Sequence, residues 1–450
     1  MGLLSFATSL SFPRGVHPPG MKEDTKDKAI RRLAFAPRVI LPLQQHFGKP
    51  SLPQVQVHQE VVRGELIAVA DGVQSVPLHA SVTGVVEGIE LMPTARGPKT
   101  EAIIIRTTPG DTQAVQWSLP RGDLMQASRK EIIQAIQEAG LVGLGGAAFP
   151  THIKLSPPYQ YPVDTLLING CECEPYLSTD HRIMLEHTEA LIMGVRLAIR
   201  AAGAERAIIG VEDDKPDAIA ALRAKLAKDD IISVGKVRAK YPQGSEKMLI
   251  KALLGREVPS GGFPYHVGVV VNNVGTMAQM GHLLPLGEGM IERVITVAGP
   301  GVQRPGNYLV SLGTPLRFLL QQVGFTGKDA SHLILGGPMM GNTVASLDVP
   351  ITKGVSGLVV LPEQSSQADM ESSRIHPCIR CGYCVDVCPV GLNPSDLGKL
   401  AAKRQYALMQ ERFHLNDCFE CGCCAYVCPS HIPLVQYFRI AKVLNRERQC

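Results

Sequence analysis

Nine of the chain's twelve cysteines fall between Cys378 and Cys428, and eight of them stand at fixed steps. Cys378, Cys381, Cys384 and Cys388 form a C-x2-C-x2-C-x3-C run closed by Pro389. Cys418, Cys421, Cys424 and Cys428 repeat it 40 residues later, closed by Pro429. A compact loop with that spacing converges three thiolates on one iron–sulfur cubane, and the cysteine before proline reaches the other cluster of a pair. The spacing therefore predicts two [4Fe–4S] clusters. One is assigned to Cys378, Cys381, Cys384 and Cys428, the other to Cys388, Cys418, Cys421 and Cys424. Structural zinc uses paired C-x2-C knuckles and needs neither a third cysteine at the same step nor the Cys-Pro ending. Cys423 lies off the ligand spacing and reads as a spare thiol.

The remaining cysteines and the composition set the context. Cys171 and Cys173 form an isolated pair after an apolar run and read as packed thiols, since free cysteine is among the most buried residue types. Net charge is +4 on 450 residues, too small to argue for nucleic acid, and aromatics at 5% give no stacking platform for single strands. Met1 to Pro13 shows no charged n-region before its apolar stretch, so no signal peptide is expected. No apolar run approaches the ~20 residues of a membrane helix. The expected compartment is cytoplasmic, where grouped cysteines bind metal more often than they form disulfides.

At ~100–200 residues per domain the length suggests three or four units. Val39 to Thr108 reads as short strands between Gly and Pro punctuation. Pro77–Glu87 there resembles lipoyl/biotinyl barrel-sandwich domains, but no lysine stands where a prosthetic group attaches, so a carrier role is not expected. Ser128–Glu131 is a capping box, Ile132, Ile133, Ile136 and Ala139 follow at helical spacing, and Gly140 suits the end of that helix. Thr165–Ile168, Ala207–Val211 and Val267–Val271 read as strands and Ala218–Leu226 as a helix, which predicts an α/β domain with a largely parallel sheet. Arg293–Leu335 returns to short strands around the amphipathic segment Pro315–Val323, a small α+β domain of grasp type. Pro362–Ser373 is a polar linker. Beyond it, Asn393, Pro394 and Asp396 start a helix, with Leu397, Leu400, Ala401 and Leu408 expected on its covered face.

Three segments in the α/β domain suit a nucleotide. Gly140–Lys154 is a glycine-rich loop after a helix, where backbone N–H groups approach a phosphate and Lys154 adds a point charge. Asn169–Pro175 and Val270–Thr276 each place amides or acids after an apolar strand, where α/β sheets bind ligands. With Tyr241–Glu246, these segments resemble the flavin- and NADH-binding subunit of respiratory complex I. That family carries a GxGRGGAGFP-type loop, an N-x-D/C-E-x-E-P segment, a Y-x-x-G-E-E segment and a V-N-N-V-x-T segment. The resemblance implies FMN held by Gly143, Gly145, Gly146, Lys154, Asn169, Glu172, Asn272 and Asn273. It implies that Phe149, Glu174, Tyr241, Gly244 and Glu246 help form the flavin and nicotinamide pocket, with NAD(H) as substrate. Leu144 in place of arginine, Cys171 in place of aspartate and Ser245 in place of glutamate remove charge around flavin and nicotinamide, and Ala148 stands where complex I has glycine.

The whole arrangement looks still closer to the RnfC family of the Rnf (Rsx) ion-translocating electron transport complexes, over nearly the full chain. The fold this implies is multidomain α/β and α+β. Residues 1–30 would be an N-terminal extension, 31–120 a barrel-sandwich hybrid domain, 121–290 an FMN/NADH-binding-like α/β domain, 291–361 a β-grasp ligand-binding domain and 362–450 a two-cluster ferredoxin-type domain. The function implied is electron transfer between NAD(H) and ferredoxin-type carriers, coupled to ion translocation by integral membrane partners and a ferredoxin-like subunit. The implied place is peripheral, on the cytoplasmic face of the bacterial inner membrane. Arg439, Lys442, Arg446 and Arg448 read as a solvated basic face, with anionic lipid or a partner as the alternative. Two other functions share the architecture: a soluble cobalamin reductase, and a cluster relay without nucleotide chemistry.

Overall fold

The computed structural model describes residues 10–95, 97–110, 113–118, 121–227, 230–325, 332–361 and 374–448. The linker expected at Pro362–Ser373 lies outside the described residues.

The first unit is an antiparallel sandwich. Strands β2 (Arg38–Pro42), β4 (Glu60–Val61), β7 (Gly84–Met92) and β8 (Thr100–Thr107) form one sheet in the order β2-β8-β7-β4. A smaller sheet, β3 (Leu52–Pro53), β5 (Leu66–Val69) and β6 (Leu78–His79), completes it. Gly84 stands at the start of β7 because a Cβ there would lie 2.1 Å from the Arg106 carbonyl. Strand β1 (Arg31–Arg32), at the boundary drawn at residue 31, pairs with the third unit and not with the sandwich.

The second unit is a four-stranded, all-parallel sheet of β9 (Thr165–Gly170), β10 (Arg206–Glu212), β11 (Ile232–Val237) and β12 (Val269–Asn273). Its order is β11-β10-β9-β12. These strands read as continuous apolar runs because both faces are covered. The expected box at Ser128 forms: its hydroxyl accepts from Glu131 N and the Glu131 carboxylate accepts from Ser128 N, opening α1 (Arg129–Glu138). Gly140 follows with φ +67. Two short helices, α2 (Thr151–Lys154) and α3 (Thr179–Glu186), flank β9 in sequence. Leu166, Ile168 and Val270 pack toward α4 (Thr188–Ala202) and α7 (Val274–Leu286), whereas Leu167, Val269 and Val271 pack toward α6 (Glu246–Leu254). The helix expected at Ala218–Leu226 is α5 (Pro216–Ala224), because Pro216 occupies its first turn. The strand expected from Val267 starts at Val269, since Pro264–Val267 closes a 3-10 turn first.

The third unit is the expected grasp. Its sheet joins β1 to β13 (Glu292–Ala298), β14 (Gly306–Ser311), β15 (His332–Leu335), β16 (Asn342–Thr343) and β17 (Gly357–Leu361), in the order β1-β14-β13-β17-β15-β16. Helix α8 (Leu316–Val323) packs on that sheet.

The last unit is helical, and its two halves match in backbone as well as sequence. Arg380 and Glu420 have φ +58 and +63, and Gly382 and Gly422 have φ +84 and +85. Helices Pro394–Ala402 and Leu434–Glu447 enclose Leu397, Met409, Leu415 and Phe438. The single covered face expected through Leu408 is corrected. The chain breaks at Arg404 (φ +56), and a second helix, Tyr406–Glu411, turns Met409 inward and leaves Leu408 half-buried. Among the described residues no helix is long and apolar enough to cross a membrane.

An N-terminal strap ties these units together. Val16 and Tyr241 exchange backbone hydrogen bonds at 2.8 and 2.9 Å, and Gly15 N donates to Val387 O at 3.1 Å.

Candidate flavin and iron–sulfur sites

The strand order reverses direction between β9 and β12, and ligands of open parallel sheets bind in the crevice beyond the strand ends at such a switch point. Asn169 stands near the end of β9, and Asn272 and Asn273 end β12, paired in register with Ile168 and Asn169. Asn273 caps α7, accepting from Gly275 N at 2.8 Å, and its amide donates to Asp180 Oδ2 at 2.6 Å. Asn272 is 3% exposed and its Nδ2 has no protein partner. A buried orphan donor of this kind costs free energy unless a ligand accepts from it.

The glycine loop closes beside these amides. Gly143 N donates to Phe149 O at 2.8 Å, and Leu144 N donates to Thr276 Oγ1 at 2.9 Å. Gly145 faces Asn273, and Gly146, at φ +109, has open space where a Cβ would stand. Phe149 stacks on Phe47 of the sandwich with ring centroids 5.9 Å apart. Lys154 forms an ion pair with Glu246.

Several expected residues hold the scaffold together. Asn169 Nδ2 donates to Gly244 O at 2.7 Å and its Oδ1 accepts from Cys171 N at 3.0 Å. Gly244 must lack a side chain, since a Cβ would lie 2.6 Å from Cys171 O. The Glu172 carboxylate accepts from Asp180 N and His181 N at the start of α3. Glu174 reaches the third unit and accepts from Met339 N at 3.0 Å and Met340 N at 2.9 Å; burial pushes its pKa up to about 7. Burial, with Glu172 beside it, also pushes Asp180 up to about 7. Cys171 and Cys173 sit as packed thiols, held protonated by burial and by nearby Glu212.

Sequence reasoning missed Gln243. It is fully buried and neither side-chain polar atom has a protein partner, in the loop that carries Tyr241 and Gly244. A glutamine between proline and glycine carries no motif signal; only its burial marks it.

The cysteines surround two cavities. Cys378, Cys381, Cys384 and Cys428 line one of about 250 Å3, walled on one side by Ser395, Gly398 and Lys399 of the intervening helix. Cys388, Cys418, Cys421 and Cys424 line a tighter one of about 20 Å3, with Cys423 also in its wall. Cys378 and Cys381 are exposed, whereas Cys388, Cys421 and Cys424 are buried. Among the described residues no three His, Cys, Asp or Glu side chains close around a point that a single metal ion could fill. Cys423, 0% exposed, shares a hydrogen bond with Cys421 that draws the Cys421 thiol toward thiolate. The tighter cavity lies against the flavin-type domain. Tyr241, 2% exposed, donates its hydroxyl to Cys421 O at 2.6 Å. On the terminal helix, Arg439 and Lys442 pair with Glu420 at 2.9 and 2.8 Å instead of forming a free basic face.

Four family models match the chain in this order. They are the RnfC barrel sandwich hybrid domain over residues 10–109, the Nuo51 FMN-binding domain over 136–282, the SLBB domain over 294–343 and a 4Fe-4S dicluster domain over 377–432. The chain is 42% identical over 436 residues to the C component of the proton-translocating ferredoxin:NAD(+) oxidoreductase complex of Clostridium ljungdahlii, covering 97% of this chain and 94% of that protein. It is 39% identical to the Na(+)-translocating counterpart of Acetobacterium woodii, covering 88% of each. It is 38% identical to the C component of the ion-translocating oxidoreductase complex of Yersinia enterocolitica, covering 96% of this chain and 61% of that one. A chain of an NAD+-reducing [NiFe]-hydrogenase in the air-oxidized state overlaps 68% of this chain and 62% of its own, at 21% identity and a TM-score of 0.48. With the four domains in this order and this identity over nearly its full length, the chain belongs to the RnfC family, the C components of ion-translocating ferredoxin:NAD(+) oxidoreductase complexes.

Proposed function

We propose that the chain is the peripheral subunit that passes electrons between an NAD(H)–flavin site and two [4Fe–4S] clusters, within a membrane complex that couples this flow to ion translocation. The observation that carries it is the shared wall between the two sites. The loop that presents Gly244 to Asn169 also sends Tyr241 to the backbone of Cys421.

The residues fit the groups they would hold. The orphan Asn272 amide and the open face of Gly146 suit an FMN phosphate or ring edge, with Gly143, Gly145 and Asn273 around them. Phe149, Glu174, Tyr241, Gly244 and Glu246 would border the flavin and nicotinamide. Bound flavin supplies the exchange between two-electron hydride chemistry and single electrons. Lys154, paired with Glu246, is placed to turn toward an anionic phosphate, at the cost of that ion pair. Each cysteine quartet brings four thiols to one cavity, with His376 also in the wall of the first and Glu420, held by Arg439 and Lys442, in the wall of the second; four convergent thiols are the donor chemistry of a cubane. Ser395–Ala402 shields one flank of the exposed quartet and Tyr241 and Met339 shield the buried one. We place the subunit on the cytoplasmic face of the membrane, where NAD(H) is available.

Anaerobic reconstitution followed by iron, sulfide and flavin analysis tests this reading. Iron and sulfide should each approach about eight per chain. FMN should copurify, and NADH should bleach the visible absorbance. A chain without FMN and without NADH-dependent bleaching would be a cluster relay only.

A further inference from the structure

Among the described residues, the two quartets differ in which side chains reach their backbone carbonyls from outside the cysteine loops. In the buried quartet, three of the four backbone carbonyls accept a hydrogen bond from a distant side chain. Arg14 Nη1, on the N-terminal strap, donates to Cys388 O at 3.4 Å. Tyr241 Oη, in the flavin-type domain, donates to Cys421 O at 2.6 Å. Lys442 Nζ, on the terminal helix, donates to Cys418 O. Residues 14, 241 and 442 belong to three separate parts of the chain, so the cysteine motif itself supplies none of these contacts.

Arg14 and Lys442 reach the carbonyls of this quartet directly, whereas the carboxylates near it are engaged elsewhere: Glu420 with Arg439 and Lys442, Glu174 with the Met339 and Met340 amides, and Asp417 with Ser260 and Gly261 N. A reduced cluster carries one more negative charge than an oxidised one. Nearby cations therefore favour the reduced form, and the hydrogen bonds to the cysteine carbonyls hold Arg14, Lys442 and the Tyr241 hydroxyl dipole against the cluster loops.

We propose that Arg14, Tyr241 and Lys442 are positioning residues for the cluster on Cys388, Cys418, Cys421 and Cys424, fixing its loops and holding its reduction potential up. The N-terminal strap and the flavin-type domain thereby tune one cluster of the two. This rests on the reading of the two quartets as cluster ligands.

The test uses the full chain, anaerobically loaded, with Arg14→Gln, Tyr241→Phe and Lys442→Gln compared by potentiometric titration followed by electron paramagnetic resonance. Iron and sulfide per chain report loading, and a Cys378→Ser variant identifies which signal belongs to the buried quartet. The expected result is a lower midpoint potential for that signal in each variant, an unmoved midpoint for the other, and partial recovery in Arg14→Lys. Tyr241→Phe removes a single oxygen, so its shift reports the lost hydrogen bond and not a lost fold. Fully loaded variants with no shift, or with equal shifts in both clusters, overturn the proposal while leaving the cluster reading intact. A wild-type chain that takes up no iron overturns both.

Discussion

Lys353 is fully buried where the sandwich meets the α/β domain, and its ammonium donates to Pro77 O at 3.0 Å and Gly140 O at 2.7 Å. Burial lowers its pKa from 10.5 to about 7. The unfolded chain keeps that proton up to its ordinary lysine value, whereas the folded chain releases it near 7. Between those values the unfolded state binds more protons, so stability rises with pH. Thermal unfolding midpoints should climb between about pH 7.5 and about pH 8, with a slope of at most ~1.4 kcal/mol per pH unit, until the thiols of Cys171 and Cys173, raised by burial in the folded chain, begin to ionise in the unfolded chain and oppose the rise. Lys353→Met should flatten that slope. Buried His46 and His79, depressed to about 4 and about 3, contribute below this window, as do Glu174 and Asp180, which titrate near 7. At the same scale, Cys388→Ser should cost about four of the eight irons and spare the quartet of Cys378, on the crossed ligation rule. Loss of the Cys378 cluster instead would reverse the assignment. The cysteines were legible from spacing alone, because a cubane demands that spacing. Lys353 was not, because nothing local distinguishes a buried lysine from an exposed one.

Helices α4 and α7 cross at two glycines. A Cβ on Gly194 would lie 1.8 Å from Met277 O, and one on Gly281 would lie 1.9 Å from Ala190 O. This contact lets the pair lie flat against one face of the parallel sheet and carry Asn273 to its edge. Gly194→Leu should cost more than ~3 kcal/mol, since overpacking a tight core cannot be relieved against backbone. A lowered melting temperature and poor soluble yield would show it. Ser128→Ala should cost only ~1 kcal/mol, the usual value of an N-cap, in a denaturant titration. The cap could be read from four consecutive residues. The crossing could not, because its meaning depends on a second helix far along the chain.

The N-terminal strap sets the arrangement of whole units. Leu10–Val16 pairs with the end of β11 and with Tyr241, Arg14 and Gly15 reach Val385, Val387 and Cys388, and β1 extends the third sheet. Removal of residues 1–19 should leave the four units folded. It should raise hydrogen–deuterium exchange at the amides of Arg238 and Tyr241 and around Val385–Cys388. Unchanged exchange there would show that the interface between the flavin-type and cluster units holds without the strap.

The sequence alone determined which chemistry the chain can hold. Cysteine spacing, a glycine loop after a capped helix and amides after apolar strands are local patterns, and each follows from the short-range geometry of its ligand or its turn. Tertiary structure decided how those parts meet. Glu174 reaches the backbone amides of the third unit, Tyr241 reaches the backbone of Cys421, and Arg14 comes from the far end of the chain to Cys388. Contacts between residues more than a hundred positions apart leave no spacing to read, because they depend on how sheets and helices pack and not on any run of neighbours.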